Sequence, residues 1–189
     1  DSGKLKAFDS VNNVTDMYLK DIEAGIEKSC GMDVEALKDA PLIKKRWGSK
    51  DAEIIEVFFT DIKGDRKEAF SSDGAFTINI RYFSKDIIKN PTFGFALYTK
   101  DGVHIAGPNT KAYSYSIDYI KGKGIVKFHF NKLQLLEGEY LVSASIYDSN
   151  IYHPYDHYEK AYNFFVDSNK AEEKYGILKP IGRWQHEKT

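Results

Sequence analysis

Apolar and polar residues alternate with a period of two along several segments of the chain, and this pattern restricts the fold more than any other feature. The alternation covers residues 76–82 (FTINIRY), 126–130 (VKFHF) and 140–147 (YLVSASIY). Successive side chains of a β-strand point to opposite faces, so each segment has one face for a core and one face mostly for water. These segments are therefore predicted to be half-buried β-strands.

Turn sequences separate the predicted strands and keep their connections short. They are Lys63-Gly64-Asp65, Ser72-Asp73-Gly74, Lys100-Asp101-Gly102, Lys121-Gly122-Lys123-Gly124 and Glu137-Gly138. About eight short strands with no helical crossover between them indicate an all-β fold, an antiparallel β-sandwich.

Two local features of the strands can also be predicted. Ile54 and Val57 are both expected to be buried although they lie three positions apart, which predicts a β-bulge in the first strand. Tyr140 follows the last turn and is predicted to anchor that corner.

The first 45 residues differ from the rest, because their apolar residues follow helical spacing. We predict a helix over residues 15–29 and interpret the residues from there to 45 as a linker. The signals for this helix are the capping residues Thr15 and Asp16, the apolar series Met17, Leu19, Ile22 and Ile26, and Gly31 at the end. The chain starts at Asp1 rather than at a methionine, so we expect it to be part of a longer protein.

Charge and motif content exclude several classes of function. The 27 basic and 28 acidic residues leave a formal net charge of −1, so we expect no nucleic-acid partner. The sequence has no phosphate-binding glycine loop, and we expect neither ATP binding nor any other cofactor. Cys30 is the single cysteine, which excludes an internal disulfide. No apolar run approaches the roughly 20 residues that span a bilayer.

A stretch of mixed aromatic and polar residues, 147–158 (YDSNIYHPYDHY), is predicted to form the longest loop. It contains four tyrosines, two histidines, an asparagine and two aspartates. Sugars are bound by such mixtures, because aromatic rings stack on the C–H faces of a sugar while amide, carboxylate and imidazole groups meet its hydroxyls. The candidate sugar-binding residues in this loop are Tyr147, Tyr152, His153, Tyr155 and His157.

Two other kinds of site remain open for the same loop. His153, His157 and one carboxylate could bind a metal ion, although their spacing matches no established metal signature. Asp148 and Asp156 could form the acid–base pair of a glycoside hydrolase, which needs two carboxyl groups about 5–10 Å apart. Neither alternative has a specific motif, so we predict a site without metal and without catalytic residues.

Further candidates lie on one face of the predicted sheet. If the strand at residues 93–99 pairs in one sheet with residues 140–148 and 158–166, a common outer face results. That face would carry Tyr98, Ser143, Ser145, Tyr147 and Asn163, with residues 150–157 overhanging one end. An exposed tyrosine beside small serines makes a shallow platform for a sugar ring. Alternatively, Tyr98 and Tyr147 only cover the sheet or lie under a dimer partner.

Short motifs follow one another in a fixed order from residue 46 to residue 186. They are Arg46-Trp47-Gly48-Ser49-Lys50-Asp51-Ala52-Glu53-Ile54, Asn90-Pro91-x-Phe93-Gly94, Lys100-Asp101-Gly102, Asn109-Thr110, Leu135-Leu136-x-Gly138-x-Tyr140, Tyr155-Asp156-His157, Phe164-x-Val166 and Gly182-x-Trp184. In these motifs the chain resembles the C-terminal domain of the Wzt-type ATPase subunit of O-antigen polysaccharide ABC transporters. Upstream, Ser2-Gly3-Lys4-Leu5 and Val14-x-x-x-Tyr18 resemble the last strand and helix of an ABC ATPase domain.

The resemblance implies a non-catalytic carbohydrate-binding domain with an immunoglobulin-like β-sandwich fold. Residues 1–45 would be the end of the ATPase domain and a linker, and residues 46–189 the sandwich. Domains of this family recognise the finished, often capped, end of a lipid-linked O-polysaccharide and so license its export. The implied partners are this O-antigen polysaccharide, a second copy of the chain, and the transmembrane permease subunit through the ATPase domain. The implied location is cytoplasmic, at the inner face of the inner membrane.

The family also dimerises by exchanging its C-terminal strand, and the end of this chain fits that expectation. A polar spacer precedes the apolar residues Tyr175, Ile177, Ile181 and Trp184, which Pro180 and Gly182 interrupt. A segment tethered in this way can cross to a partner at little entropic cost. A structural dimerisation domain that never touches sugar is the main alternative to the sugar-binding hypothesis, and a carbohydrate-active enzyme is the third.

Overall fold

The computed structural model describes residues 45–167 and 175–187, which form nine β-strands and no helix. The strands are β1 (Lys45–Trp47), β2 (Ala52–Asp61), β3 (Ala69–Ser71), β4 (Phe76–Lys89), β5 (Thr92–Thr99), β6 (His104–Ala106), β7 (Tyr119–Phe130), β8 (Gly138–Tyr147) and β9 (Pro154–Asp167). Nothing in these residues is a helix capable of crossing a bilayer. The helix predicted over residues 15–29 lies outside the described residues.

Two sheets pack as an immunoglobulin-like antiparallel β-sandwich, which confirms the predicted fold class. The larger sheet has the order β1-β9-β8-β5-β6, with β3 paired in parallel to the end of β9, and the smaller sheet has the order β2-β4-β7. Strand β8 pairs with β5 on one side and β9 on the other, as predicted. The predicted β-bulge in the first strand is present, because β2 shifts register against β4 after Ile54.

Aromatic and branched side chains from both sheets fill the space between them. Phe76 of β4, Phe93 of β5 and Phe164 of β9 are almost fully buried, and the ring centroids of Phe76 and Phe164 lie 5.1 Å apart across the core. Burial of an aromatic side chain contributes roughly 1.5–3 kcal/mol. Because one face of the larger sheet packs against the core, the alternate residues of its strands point outwards. The candidate site is formed by these outward-pointing residues.

One predicted turn is wrong. The glycine-rich stretch at residues 121–124 lies inside β7, where it pairs with β4. Gly124 faces the Tyr82 ring so closely that a Cβ would overlap it, and Gly122 has a φ of +70° beside a register shift of β4. Gly124 therefore allows close packing, and Gly122 allows an irregular backbone. Both are common reasons for a glycine within a strand.

The predicted loop at residues 147–158 is shorter than expected, because β9 already begins at Pro154. Tyr155, Asp156 and His157 are therefore strand residues and do not overhang the sheet. Proline is tolerated as the first residue of a strand, and the pairing of β9 with both β8 and β1 outweighs the local turn signals. Only Asp148 to His153 connect the two strands.

Tyr140 anchors the corner before β8, as predicted. Its hydroxyl donates a hydrogen bond to the Leu136 carbonyl oxygen at 2.7 Å, and the contact is buried. Tyr140→Phe should lower the free energy of unfolding by about 1–2 kcal/mol, because a buried carbonyl loses its partner. Urea unfolding measures this loss. An unchanged unfolding midpoint would show that this hydrogen bond does not stabilise the fold.

Candidate functional site

A row of residues crosses the outer face of the larger sheet. The strand registers place Trp47 beside His157, His157 beside Ser145, and Ser145 beside Gly94. An isolated bridge joins Gly94 to Asn109 in the loop after β6. Residues in register on neighbouring strands have their Cβ atoms about 5 Å apart, so these five positions are spatial neighbours despite their separation in sequence.

This row crosses a shallow pocket with a volume of about 140 Å³. Strands β5 and β8 contribute the small residues Gly94, Ala96 and Ser145, and β9 contributes His157. The loop after β6 adds Pro108 and Asn109, the loop after β8 adds Ile151, and no carboxylate is among the described residues that line the pocket. Pockets for drug-sized ligands measure about 300–1,000 Å³, so this pocket suits one small unit such as a single sugar.

Gly94 makes room for the pocket. A Cβ at this position would lie 3.2 Å from the Cβ of Asn109 and 3.3 Å from the Ser145 Oγ, so any larger residue would fill the floor or displace the loop. Asn109 is oriented by its own loop, since its Oδ1 accepts a hydrogen bond from the Ala112 N–H at 2.8 Å. The amide nitrogen of Asn109 is therefore the group that remains for a ligand.

Two further aromatic side chains hold His157 in place. The indole of Trp47 stacks on the imidazole with a centroid distance of 4.0 Å and an interplanar angle of 13°. The hydroxyl oxygen of Tyr147 lies 3.1 Å from the His157 Nδ1 atom. Burial lowers the pKa of His157 and raises the pKa of Tyr147, so the imidazole and the phenol are both uncharged at neutral pH. Together these three side chains form an aromatic wall.

An ionic cluster beneath the aromatic wall fixes β1 to β9. Asp156 is fully buried, and its carboxylate accepts two hydrogen bonds from Arg46, at 2.9 and 2.7 Å, and one from the Ile54 N–H at 2.7 Å. Lys50 completes the cluster as a second ion-pair partner. Burial raises the pKa of Asp156, but the hydrogen bonds from Arg46, Lys50 and Ile54 outweigh it and hold this pKa below its usual range. The carboxylate is therefore ionised and paired.

The pocket brings together four of the nine predicted sugar-binding residues: Ser143, Ser145, Tyr147 and His157. Their accessibility differs. Ser143 is only 2% exposed, and its hydroxyl accepts a hydrogen bond from the Lys160 N–H at 2.8 Å, where β8 shifts register against β9. Ser145 is more open, and its hydroxyl has only a long contact of 3.5 Å with the Gly94 carbonyl oxygen.

Tyr98 and Asn163 share the outer face but lie towards its other end. Both are in register with Leu141, four residues from Ser145 along β8, which corresponds to about 13 Å. The Tyr98 ring is stacked by His104 at 4.9 Å and contacted by the Lys160 ammonium at 4.8 Å, so little of it is free for a sugar. Asn163 is exposed, and its amide donates to Glu139 at 3.0 Å.

The remaining three candidates lie at the end of the sandwich near the loop after β8. Tyr152 is 88% exposed at the loop tip. His153 contacts the ring of Tyr155 edge-on at 5.2 Å, and Tyr155 packs against the core. Asp148 shapes this loop by accepting hydrogen bonds from the backbone N–H groups of Tyr152 and His153, at 2.8 and 2.9 Å.

The metal and hydrolase alternatives gain no support from these positions. Among residues 45–167 and 175–187, no cluster of three or more histidine, cysteine or acidic side chains is placed to hold a metal ion. Hydrogen bonds from the loop backbone, that of His153 first, lower the pKa of Asp148, and the pKa of Asp156 is also lowered. Both carboxyl groups are therefore ionised at neutral pH, which does not suit a general acid.

Sequence reasoning missed several residues of the pocket and its wall: Trp47, Gly94, His104 and Ile151. It suggested that Asn109 could cap the local backbone or contact a ligand, but did not place it beside Gly94. Trp47, Gly94 and Asn109 belong to the motifs quoted above, but their spacing did not indicate that they converge. His104 and Ile151 had no sequence signal.

A larger apolar groove lies between the loop after β6 and strand β7. It has a volume of about 370 Å³, and its lining includes Phe93, Phe95, Tyr113 and Phe128. The smaller pocket is the better candidate for a sugar, because it places the aromatic wall beside a floor of small residues, within reach of the hydrogen-bonding side chains of Ser145, His157 and Asn109.

An immunoglobulin-like β-sandwich with a shallow, aromatic-walled pocket on one sheet face belongs to the class of β-sandwich ligand-binding modules. The chain belongs to the Wzt C-terminal domain family, whose model matches residues 43–180. Membership of this family supports a carbohydrate-binding role in an ABC transporter, in a domain distinct from the ATPase domain.

A solved structure of this family shows the same fold. The crystal structure of the C-terminal domain of Wzt is 20% identical to this chain, with a TM-score of 0.69, and the match covers 77% of this chain and 90% of that one. A Niemann-Pick type C2 protein from Japanese carpenter ant is 9% identical with a TM-score of 0.42, covering 66% of this chain and 98% of that one. The latter similarity is too low to support an argument. The comparison with curated proteins gives no match.

Proposed function

We propose that this domain binds the capped end of a lipid-linked O-polysaccharide and thereby licenses its export. The proposal rests on the pocket of the larger sheet, where the aromatic wall lies beside a floor of small residues. An aromatic wall can contact the C–H face of a sugar, and the imidazole of His157 and the amide of Asn109 can hydrogen-bond to its oxygen atoms.

The family match supports a carbohydrate-binding role within an ABC transporter, and we propose the following arrangement on that basis. Residues 1–45 are the end of an ATPase domain and a linker, and residues 46–189 are the binding domain. The domain acts without catalysis, on the cytoplasmic side of the inner membrane, and its ATPase domain contacts the transmembrane permease subunit. Family membership supports this arrangement.

A dimer built by exchange of the C-terminal segment is part of the same proposal. Ile181 and Trp184 are 83% and 102% exposed, which is unusual for large apolar side chains. Ile177 packs against the core of its own chain, and its carbonyl accepts a hydrogen bond from the Leu136 N–H at 2.9 Å. The exchanged part is therefore the segment after Pro180. The exposed residues also favour the alternative function, a dimerisation domain without sugar binding.

Calorimetric titration with purified native O-polysaccharide and with the same polysaccharide lacking its cap tests the proposed function. We expect native polysaccharide to bind and the uncapped form to bind at least about tenfold more weakly, which corresponds to about 1.4 kcal/mol. Failure of the wild-type dimer to bind native polysaccharide would contradict sugar recognition and support the dimerisation alternative.

Ser145→Leu should block the pocket. The added side chain would occupy the floor beside Gly94, while the fold loses only one long hydrogen bond. We expect affinity for native polysaccharide to fall at least about tenfold, with a change in unfolding free energy below about 1 kcal/mol. Asn163→Leu is the matched control, because Asn163 is exposed on the same face but far from the pocket. Equal affinities of both variants and the wild type would exclude this pocket as the sugar site.

A further inference from the structure

A second pocket, with a volume of about 200 Å³, lies next to the first one beside the start of β5. Thr92, the first residue of β5, lines both pockets. The loop after β6 passes both of them, because Asn109 lines the first pocket and Thr110 lines the second. The loop after β8 likewise contributes Ile151 to the first and Ser149 to the second. The two pockets are therefore neighbouring parts of one surface.

The first pocket is bounded on the side that faces away from Thr92. Strand β5 runs from Thr92 past Gly94, in the floor of the pocket, to Tyr98. His104 lines the pocket at that end, and its ring stacks on the ring of Tyr98 with a centroid distance of 4.9 Å. Each residue of a strand spans about 3.3 Å, so Thr92 lies about 7 Å from Gly94 in the other direction. A ligand larger than one sugar unit therefore extends along β5 towards Thr92, away from His104.

The side chains that line the second pocket suit a sugar. Tyr115 is 64% exposed there, and the exposed residues Asn90 and Ser116 contribute an amide and a hydroxyl group. As in the first pocket, no carboxylate is among the described residues of the lining. An aromatic ring can contact the C–H face of a sugar, while amide and hydroxyl groups form hydrogen bonds with its oxygen atoms. The two neighbouring pockets therefore offer the same kinds of contact to a ligand.

Hydrogen bonds hold the backbone at Tyr115 in place. The Tyr115 N–H donates to the Thr110 carbonyl oxygen at 2.9 Å. Thr110 is fixed to β5, because its N–H donates to the Phe93 carbonyl at 2.8 Å and its Oγ1 accepts from the Phe93 N–H at 3.1 Å. The Lys111 ammonium donates to the Ser149 carbonyl at 2.9 Å and so connects the loop after β6 with the loop after β8. A site whose backbone is held in advance loses little conformational entropy when a ligand binds.

We propose that the second pocket is a second sugar subsite, in which the ring of Tyr115 stacks on the glycan unit that follows the one in the first pocket. The terminal unit lies in the first pocket, because His104 bounds that pocket at its far end, and the chain leaves past Thr92. The domain therefore recognises at least two consecutive units of the glycan rather than its last sugar alone. This inference rests on the proposed function.

Fragments of one and two sugar units, cut from the capped end of purified native polysaccharide, test this inference in NMR titrations. We expect the wild type to bind the two-unit fragment at least about tenfold more tightly than the one-unit fragment, as one additional aromatic contact allows. Tyr115→Ala should lose about this factor of ten for the two-unit fragment and bind the one-unit fragment like the wild type. Tyr115→Phe keeps the ring and should bind both fragments within about twofold of the wild type.

Tyr119→Ala is the matched control, because Tyr119 is 62% exposed on β7 of the other sheet and lines neither pocket. It should leave both affinities unchanged. Equal affinities of the wild type for the two fragments, or a Tyr115→Ala variant that binds the two-unit fragment like the wild type, would overturn the inference. In either case the proposed function stands if Ser145→Leu still weakens binding of native polysaccharide. If the wild type binds neither the fragments nor native polysaccharide, the proposed function and the second subsite both fail.

Discussion

Asp156→Ala is expected to lower the free energy of unfolding by about 3–5 kcal/mol, which is the usual cost of removing one partner of a buried ion pair. The side chain of Asp156 is 0% exposed, whereas that of Arg46 is 30% exposed. The substitution would leave the Arg46 guanidinium without its main partner and the Ile54 N–H without an acceptor. It would also release β1 from β9. Urea unfolding followed by tryptophan fluorescence measures the effect.

A matched surface pair provides the control. Asp73 and Lys179 form an ion pair at 2.7 Å, but their side chains are 52% and 36% exposed, so Asp73→Ala should cost no more than about 1 kcal/mol. Asp156→Asn should fall between the two, because an amide oxygen can still accept from Ile54. If Asp156→Ala were no more destabilising than Asp73→Ala, the buried cluster would not hold the strands together.

The effect of Asp156→Ala should depend on pH in a defined direction. The folded-state pKa of Asp156 lies below its unfolded value of about 3.9, so the carboxylate stabilises the fold fully above that value. This contribution is lost as the pH falls through the lowered folded-state pKa. The difference in stability between the wild type and Asp156→Ala should therefore be constant near neutral pH and shrink progressively below about pH 4.

Removal of residues 181–189 is expected to convert a dimer into a folded monomer. This truncation spares the part of the C-terminal segment that binds its own chain, since Lys179 donates from its backbone to the Gln134 carbonyl at 2.8 Å and from its side chain to Asp73. It removes Ile181 and Trp184, the large, exposed apolar side chains that we propose to form the contact with the partner. Light scattering gives the mass of the wild type and the truncated chain.

A single substitution refines the same prediction. Trp184→Ala should weaken dimerisation by about 2–4 kcal/mol, because a tryptophan at an interface is a typical hot spot. Arg183→Ala provides a neighbouring change that removes an exposed polar side chain and should leave the mass unchanged. A truncated chain that remained a stable dimer would rule out exchange of this segment.

The strand pattern could be predicted from sequence because it depends on local chemistry. The alternation in residues 140–147 reports the two faces of β8, and the positions of Ile54 and Val57 reveal a bulge without knowledge of the partner strand. The glycines at residues 122 and 124 show the limit of such local reasoning. Glycine permits both turns and close packing, and only the position of Tyr82 on the neighbouring strand decides between them.

The pocket could be predicted only in part, because its residues meet through pairing across strands. Ser145 and Tyr147 lie on one predicted strand, so their common face followed from the period of two. Trp47 and His157 become neighbours only because β1 pairs with β9, and Asn109 reaches Gly94 only through the path of a loop. Local sequence patterns do not reveal which residues of two strands pair, so they could not show that Trp47 lies beside His157.

The attachment of β1 has a mechanical consequence. The chain enters the described domain at Lys45, opposite Glu159, and within two residues it reaches the aromatic wall. A tension applied through the chain before Lys45 would load the three-residue pairing of β1 with β9 and the Arg46–Asp156 ion pair before it loaded the core. Since Trp47 is the last residue of β1, we expect such a force to deform the pocket at a load that leaves the sandwich folded.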